Sequence, residues 1–292
     1  MPTLKQPPWL KKTAHSSPVV KVTADILRDA GVSTVCQSAR CPNIFDCFSR
    51  RQATFLILGE RCTRRCGFCA VEKGVPGAVD PAEVSRVSAA VFHLGLQHVI
   101  ITSVTRDDID DGGAGHFARM ITSLRKICGA SLTIEVLTPD FSGNASAVDR
   151  VLAESPHIFS HNLETVPRLY AKARCGADYE RSLRVLRRAH ENGRGVRTKS
   201  SIMLGLGETR AEIAALLADL RSVGCDMLAV GQYLRPSPLQ IPVERYIRPE
   251  EFSEIREMGY TLGFTDVQSG PFVRSSYRAR EGVRDGDTGQ AS

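Results

Sequence analysis

Six of the nine cysteines in this chain lie within 34 residues and form two triplets with different spacings. The second triplet has a C-x3-C-x2-C spacing with an aromatic residue before its last cysteine; its members are Cys62, Cys66 and Cys69. The first triplet has a C-x4-C-x5-C spacing; its members are Cys36, Cys41 and Cys47. Three thiolates on one short loop can hold three irons of a cubane iron–sulfur cluster, whose fourth iron then needs a ligand from elsewhere. Two such triplets predict two clusters with two different fourth ligands.

Other roles for these cysteines fit the pattern less well. Disulfide frameworks are typical of short secreted chains, and this chain has 292 residues and shows no signal-peptide pattern. Zinc sites are usually closed by paired C-x2-C knuckles, and only Cys66 and Cys69 form one. Chance clustering of inert thiols does not account for two regular triplets so close together. The remaining cysteines stand alone in apolar or helical contexts, where we expect them to pack; they are Cys128, Cys175 and Cys225.

Beyond the cysteines, short apolar runs alternate with helical stretches. The runs are rich in β-branched residues and nearly continuous, as expected of parallel strands buried on both faces; they span 54–58, 98–104, 132–137, 158–162, 197–204 and 227–232. The predicted helices span 80–95, 114–128, 145–154, 167–173, 178–192 and 208–223. Asp80 and Pro81 predict the start of the first of them. Six alternating units with right-handed crossovers predict an α/β fold, an open or partial (β/α)6 barrel.

The remainder of the chain is predicted to form extensions of this barrel. Residues 1–53 lack the alternation, so we expect them to wrap the barrel and carry the first triplet. The barrel itself is assigned to 54–262. A C-terminal segment is assigned to 263–292, and its polar, glycine-rich tail from about Glu281 is expected to fray.

The positive charge of the chain is unevenly distributed. The net charge is +6, and residues 1–51 hold eight Lys or Arg against three Asp, which leaves +5 there. Such a segment can recruit an acidic partner, and a solvated basic arm is an equally good interpretation. No aromatic-interleaved basic motif favours nucleic acid, and no apolar run approaches the roughly 18 residues of a membrane span. Neither partner is expected, and the composition favours a reducing compartment such as the cytoplasm.

Several polar segments are predicted to meet at one edge of the sheet. The second triplet directly follows the first strand, and ligands of parallel α/β folds bind outside the carboxyl ends of the strands. Other polar, glycine-bearing segments follow later strands at that edge; they span 103–113, 161–165, 205–208 and 232–236. Each alone fits ordinary capping or turn formation. Together they predict a ring of loops around a site.

These motifs resemble those of a known enzyme family. The second triplet, with its aromatic residue and its place after the first strand of a βα barrel, resembles the radical S-adenosylmethionine (SAM) enzymes. Within that superfamily the chain resembles the lipoyl synthases from about residue 8 to 280. The closer resemblance is carried by the first triplet with its Cys-Pro-Asn-Ile segment, by Pro-Trp-Leu-Lys at 8–11, and by 102–113, 161–165 and Arg-Ser-Ser-Tyr at 274–277.

The resemblance implies two [4Fe–4S] clusters and SAM as cofactors. The second triplet would hold the cluster whose open iron binds SAM and whose electron releases a 5′-deoxyadenosyl radical. Phe68 would pack beside that cluster, and Asn162 and Glu164 would contact SAM. The first triplet would hold the second cluster, consumed as the sulfur donor, with a serine oxygen of the Arg-Ser-Ser-Tyr motif as fourth ligand. An oxygen ligand is easier to displace than a thiolate, and we predict Ser276 in this role in preference to Ser275.

The implied reaction inserts two sulfur atoms at carbons 6 and 8 of an octanoyl chain on a lysine of a lipoyl carrier domain. Those carbons are unactivated, so acid–base and nucleophilic catalysis have no handle on them and cofactor radicals must do the chemistry. The barrel would hold the acyl chain between the clusters, and the C-terminal segment would fold back over the barrel mouth. The implied partners are octanoylated lipoyl domains of 2-oxoacid dehydrogenase acyltransferase subunits, the glycine cleavage carrier protein, a flavodoxin- or ferredoxin-type reductant and an iron–sulfur carrier protein.

Other functions remain open on the sequence alone. Another radical SAM enzyme, such as a biotin-type sulfur inserter or a maturase, would keep the second triplet but not the first triplet paired with Arg-Ser-Ser-Tyr. A ferredoxin-like carrier would need four cysteines per cluster and a far smaller fold. A non-enzymatic iron–sulfur scaffold is the third alternative.

Overall fold

The computed structural model describes residues 4–12 and 17–277, so the tail predicted from about Glu281 lies outside the described residues. The helices are α1 (Pro18–Asp29), α2 (Val35–Ser38), α3 (Ile44–Ser49), α4 (Glu83–Leu94), α5 (Ala114–Cys128), α6 (Ala145–Leu152), α7 (Tyr170–Ala173), α8 (Tyr179–Asn192), α9 (Arg210–Ser222) and α10 (Pro249–Thr261). Within the described ranges, no helix is long and apolar enough to cross a membrane.

Ten strands accompany these helices. They are β1 (Ser33–Thr34), β2 (Thr54–Ile57), β3 (Arg61–Cys62), β4 (Glu72–Lys73), β5 (His98–Ser103), β6 (Thr133–Leu137), β7 (Ile158–Ser160), β8 (Arg197–Leu204), β9 (Met227–Gln232) and β10 (Asp266–Gly270). Short 3-10 turns lie at Pro8–Leu10, Phe141–Gly143 and Pro167–Leu169. Strands β3 and β4 pair with each other in a separate small ribbon.

Eight strands form the main sheet, in the order β1, β2, β5, β6, β7, β8, β9 and β10. Every neighbouring pair is parallel except β1 with β2. The six predicted strands are adjacent in chain order, and at least one helix lies in each connection between them. Because β1 and β10 are the two edges, the sheet is curved but open in the part of the chain described. The prediction of an α/β partial barrel with extensions is confirmed.

Two apolar layers hold the helices on the sheet. One layer joins β2, β5 and β6 to the buried faces of α1, α4, α5 and α6. The other joins β8 and β9 to α9 and α10, and α8 contributes to both layers. Local signals set the helix ends: the Thr209 hydroxyl and the Glu212 carboxylate form a capping box at the start of α9, and Gly95 ends α4 in the left-handed conformation. The strands' remaining side chains therefore face the interior of the open barrel.

Several details differ from the sequence-based expectations. Helix α4 begins at Glu83, because the Asp80 carboxylate accepts a hydrogen bond from the Ala82 amide in the turn before the helix. Residues 1–53 contain a regular amphipathic helix, α1, which the sequence analysis did not identify. A seventh unit, α10 with β10, follows the six predicted ones. The prediction that Cys175 packs is wrong, since that residue lies exposed just beyond the end of α7.

Candidate active site

The second triplet lies on a loop tied tightly to its neighbours. Cys62 ends β3, directly after the first strand of the barrel, and its Sγ accepts a hydrogen bond from the Thr105 amide at 3.3 Å. The Gly67 amide donates to the Ala173 carbonyl at 2.9 Å, and the Gly67 carbonyl accepts from the Ile241 amide at 3.0 Å. A Cβ at residue 67 would lie 2.8 Å from the Lys172 carbonyl oxygen, so this position needs glycine. The loop is thus held by α7 and by the segment around Ile241 that follows β9.

Arg64, between Cys62 and Cys66 in the sequence, fixes the loop to two neighbouring segments of the chain. Its buried guanidinium forms paired hydrogen bonds with Asp107, at 2.8 and 2.9 Å, and with Asp140, at 2.7 and 2.9 Å. Burial alone would raise the pKa of each carboxyl group, but the Arg64 hydrogen bonds outweigh it and hold both values below the ordinary range. Breaking a buried pair of this kind leaves an uncompensated charge. These contacts of Arg64 were not predicted from the sequence, although an arginine between the cysteines of the triplet was a signal for them.

Burial disfavours the ionisation of two thiols of the second triplet, Cys66 and Cys69. Burial raises the pKa of Cys66 to about 12, and the neighbouring charges of Cys69 and Cys62 add to the shift. Burial also raises the pKa of Cys69, again with a contribution from Cys62. Cys62 and Cys69 therefore lie close enough to Cys66 to oppose its ionisation, and iron binding must displace the protons of Cys66 and Cys69. Phe68, between them, is partly buried and packs against the α9–α10 layer.

Asn162 and Glu164 lie next to this triplet. The Asn162 amide donates to the Glu164 carboxylate at 3.0 Å, while its Oδ1 is buried with no hydrogen-bond partner among the described residues. Glu164 has a left-handed backbone with φ of 67°, which a non-glycine residue adopts only when held there. Two backbone hydrogen bonds to β8, through Ser201 and Met203, hold it. Burial raises the pKa of Glu164, and its charge in turn raises the pKa of Cys66.

The first triplet is built on two short helices. Cys36 lies on α2, whose start is capped by the Thr34 hydroxyl, and Cys47 lies on α3. The Cys41 amide between them donates to the Cys36 carbonyl at 3.0 Å. Burial raises the pKa of Cys36 to about 11 and that of Cys47 to about 12; Cys41 adds to both shifts, and Cys36 adds to that of Cys47. These three thiols also lie together.

All three cysteines of the first triplet line one cavity with Ser276. Its empty volume, counted to the open mouth, is about 540 Å³, and its wall also includes Arg274 and Tyr277. Ser275 does not line it. The wall reaches Thr54 and His98, at the amino-terminal ends of β2 and β5. The two triplets thus lie toward opposite ends of β2. The ring of loops predicted at the carboxyl edge included only the second triplet, and no position along the strands was predicted for the first.

The C-terminal segment 271–277 reaches this cavity by folding back across the sheet. The Gln232 amide donates to the Pro271 carbonyl at 3.3 Å, and the Asn43 side chain donates to the Phe272 carbonyl at 2.7 Å. Lys12 donates to Asn43 Oδ1 at 3.0 Å and lies over the rings of Phe272 and Tyr277, at 5.2 and 5.4 Å from their centroids. The N-terminal extension therefore fastens the segment that carries Ser276. Asn43, in the Cys-Pro-Asn sequence, was another signal without an assigned role.

Arg274, on the wall of the cavity that the first triplet lines, interacts with charged groups at both triplets. Burial lowers the pKa of its guanidinium, and the charges of Cys41 and Glu164 offset part of that shift. Cys41 belongs to the first triplet, and Glu164 lies beside the second. One arginine of the C-terminal motif therefore connects the two sites electrostatically.

The cysteine geometry is not that of a single-ion site. Within residues 4–12 and 17–277, no three His, Cys, Asp or Glu side chains converge as ligands of one metal ion. A cubane makes a different demand, because it places each thiolate on a separate iron atom. Clustered thiols and a serine on the wall of one cavity fit that demand for the first triplet.

Gly231→Ala is expected to displace the C-terminal segment. A Cβ at residue 231 would lie 1.9 Å from the Val273 carbonyl oxygen, a clash between two backbones that no side-chain rotation can relieve. Overpacking of this kind costs about 1–3 kcal/mol, so amide exchange in 271–277 should accelerate on the order of tenfold or more. Hydrogen exchange with mass detection measures it. Gly77→Ala is the control, because a Cβ there meets nothing within 4 Å; equal exchange in both variants would contradict the prediction.

Comparison with known proteins identifies the family. Residues 56–220 match the model of the radical SAM superfamily, which implies a [4Fe–4S] cluster and SAM as cofactors. Among solved structures, methylornithine synthase aligns with a TM-score of 0.55 at 14% identity, over 94% of this chain and 90% of that one. SuiB of Streptococcus suis, bound to its precursor peptide, aligns with a TM-score of 0.55 over 80% of this chain and 53% of that one, also at 14% identity. These two likenesses concern the fold alone.

Curated relatives are much closer in sequence. A lipoyl synthase of Caldanaerobacter subterraneus subsp. tengcongensis is 51% identical over 281 residues, which cover 96% of this chain and 98% of that protein. Lipoyl synthases of Geobacter metallireducens and Aquifex aeolicus are 51% and 50% identical, over 96% and 94% of this chain and 98% and 99% of those proteins. The chain belongs to the lipoyl synthase family of radical SAM enzymes.

Proposed function

We propose that this protein inserts two sulfur atoms at carbons 6 and 8 of an octanoyl chain carried on a lysine of a lipoyl domain. The observation that carries the proposal is the cavity in which the three cysteines of the first triplet meet Ser276. An enzyme that only generated a radical would need the second triplet alone. The first triplet and Ser276 form an additional set of possible ligands on a cavity of their own. Arg274 interacts with charges both in this set and beside the second triplet, which supports a sulfur donor held inside the protein.

The second triplet would hold the [4Fe–4S] cluster that works with SAM. Its loop is immobilised by Arg64, and Phe68 fills the space beside it. Asn162 Oδ1 and the buried Glu164 carboxylate are acceptors that suit the ammonium group of SAM. When bound, the cluster would deliver an electron to SAM and so supply a radical able to remove hydrogen from an unactivated carbon. The residues' own part is to orient SAM and to exclude water.

The sulfur donor would be a second [4Fe–4S] cluster, used as a substrate and held by the first triplet and Ser276. Because the two triplets lie toward opposite ends of β2, the acyl chain would lie between them inside the barrel. Ile100, on the cavity wall, offers an apolar surface on that path. The folded-back segment 271–277 covers the cavity and would limit the entry of water.

Further partners follow from the chemistry and the charge. All eight Lys and Arg residues of the N-terminal extension are exposed, which suits docking of an acidic carrier domain such as those of 2-oxoacid dehydrogenases or the glycine cleavage system. A flavodoxin- or ferredoxin-type protein would supply electrons, and an iron–sulfur carrier would rebuild the consumed cluster. In this proposal 1–53 carries the donor site, 54–262 the barrel and 263–292 the closing segment, in a reducing compartment such as the cytoplasm.

Anaerobic reconstitution tests the proposal directly. The chain should bind about eight irons, two cubanes' worth. With SAM, a reductant and an octanoylated carrier peptide it should then add two sulfur atoms to the peptide, as measured by mass spectrometry. An unacylated peptide is the control and should gain no sulfur. A chain that never binds more than about four irons, or cleaves SAM without adding sulfur to the peptide, would contradict the proposal.

A further inference from the structure

His98 is a buried histidine with no role in the proposed chemistry. It lies on the wall of the cavity that the first triplet and Ser276 line, called here the donor cavity. It is the first residue of β5, and only 5% of its side chain is exposed. Neither of its ring nitrogens, Nδ1 or Nε2, makes a hydrogen bond of normal geometry with the described residues. A buried polar atom normally has a partner, so these nitrogens call for an explanation.

A carboxylate lies behind the imidazole ring. Oε2 of Glu135 is 3.3 Å from His98 Nε2, slightly beyond the usual length of an N–H···O hydrogen bond. Glu135 is fully buried, but the charge of Lys199 and a hydrogen bond from Ser160 help to outweigh burial, and its pKa is lowered to about 2. Lys199 Nζ lies 3.1 Å from Glu135 Oε1. The carboxylate is therefore ionised, and it favours a proton on the ring nitrogen that faces it.

That arrangement is the one in which proteins prepare a histidine to bind metal. A ligating histidine usually donates one ring N–H to a carboxylate, which fixes the tautomer and leaves a lone pair on the other nitrogen. With the proton on Nε2, the ring nitrogen 3.3 Å from the Glu135 carboxylate, the lone pair is on Nδ1. Imidazole is a suitable ligand for iron, and histidine replaces cysteine on one iron of Rieske clusters.

We propose that His98 Nδ1 is a reserve iron ligand in this cavity, able to bind the iron that Ser276 otherwise holds. The exchange is a simple substitution without change of oxidation state. The bond from the serine oxygen to iron breaks, the oxygen takes a proton from water, and the Nδ1 lone pair forms the new bond. The inference rests on the proposed donor cluster. His98 would coordinate this iron while the serine oxygen is dissociated from it.

The simpler alternative is a structural histidine that only pairs with Glu135. His116 is a matched example in the same chain: it is buried, and its Nε2 lies 2.8 Å from Glu83 Oε2, but it does not line the cavity. A structural role predicts that His98 and His116 variants behave alike toward iron. A ligand role predicts that they differ.

The test uses the full chain with Cys62, Cys66 and Cys69 replaced by alanine, so that only the donor site can load. Ser276→Ala, His98→Phe, Ser276→Ala with His98→Phe, and Ser276→Ala with His116→Phe are added to this parent. Iron content, the rate of iron release to a chelator, and nitrogen hyperfine coupling in pulsed EPR of the reduced, ¹⁵N-histidine-labelled protein are measured. Circular dichroism confirms folding.

Ser276→Ala is expected to keep about four irons and to gain a histidine nitrogen coupling. Adding His98→Phe should remove that coupling and accelerate iron release on the order of tenfold or more, whereas adding His116→Phe should change neither. His98→Phe alone should keep its iron through Ser276. Absence of nitrogen coupling in Ser276→Ala overturns the inference, even if the double variant fails to fold. A parent that binds no iron at this site overturns the donor cluster itself, which is a distinguishable result.

Discussion

Replacing Cys36, Cys41 and Cys47 together with alanine is expected to abolish sulfur insertion and to leave reductive cleavage of SAM intact. The contacts around the second triplet, including those of Arg64 and Glu164, involve no residue of the segment 36–47 and are therefore retained. 5′-Deoxyadenosine, measured by chromatography, should form at close to the wild-type rate, while thiolated peptide should fall below detection by mass spectrometry. Formation of the thiolated product by this variant would mean that the sulfur comes from elsewhere.

The complementary variant separates the two roles. Alanine at Cys62, Cys66 and Cys69 should abolish both SAM cleavage and sulfur insertion, because no radical forms, while about four irons remain on the first triplet. Cys175→Ala is the matched control, since that exposed cysteine belongs to neither triplet and its loss should leave both activities unchanged. A second-triplet variant that still cleaved SAM would move the radical-generating site to the other cysteines.

Much of the fold was predictable because the barrel strands carry a clear local sequence signal. Parallel strands buried on both faces need continuous apolar, β-branched runs, and all six runs became strands. Strand β10 (Asp266–Gly270) lies at an edge, and only Val267 on it is buried, so no apolar run marks it. Helix α1 had local signals, Ser17 as cap and Pro18 in the first turn, but it falls outside the strand–helix alternation on which the assignment relied.

The candidate site likewise has features that local sequence predicts and features that it does not. The cysteines of each triplet are close in sequence, so their spacing alone predicted clusters. The contacts that organise the site join residues far apart: Arg64 with Asp140, Asn43 with Phe272, and His98 with Glu135. Such pairs depend on strand register and on the path of the C-terminal segment. Neither is encoded in a local pattern, which is why the donor cavity's position at the amino-terminal ends of β2 and β5 was not predicted.

Ser276→Ala is expected to leave a folded protein that cleaves SAM but transfers sulfur poorly. The change removes the hydroxyl from the cavity wall and alters almost no volume, while Asn43 and Lys12 continue to hold the segment through Phe272. Product yield should fall on the order of tenfold or more, the usual effect of disturbing a metal's ligands and their support, and iron should be lost to a chelator faster than from the wild type. Single-turnover assays with mass detection measure the yield.

Ser276→Cys should hold the cluster firmly and still turn over poorly, since a thiolate is a competent ligand that releases iron less readily than an oxygen does. Ser275→Ala is the matched control. Ser276 lines the cavity and Ser275 does not, so the product yield of the Ser275→Ala variant should stay near the wild-type value. Truncation before Arg274 should resemble Ser276→Ala and add uncoupled SAM cleavage, because it also removes the arginine that interacts with charged groups at both sites. If Ser275→Ala lost the product and Ser276→Ala kept it, the ligand would be the neighbouring serine. If both kept it, no serine would be the ligand, and His98 would become the candidate for that position.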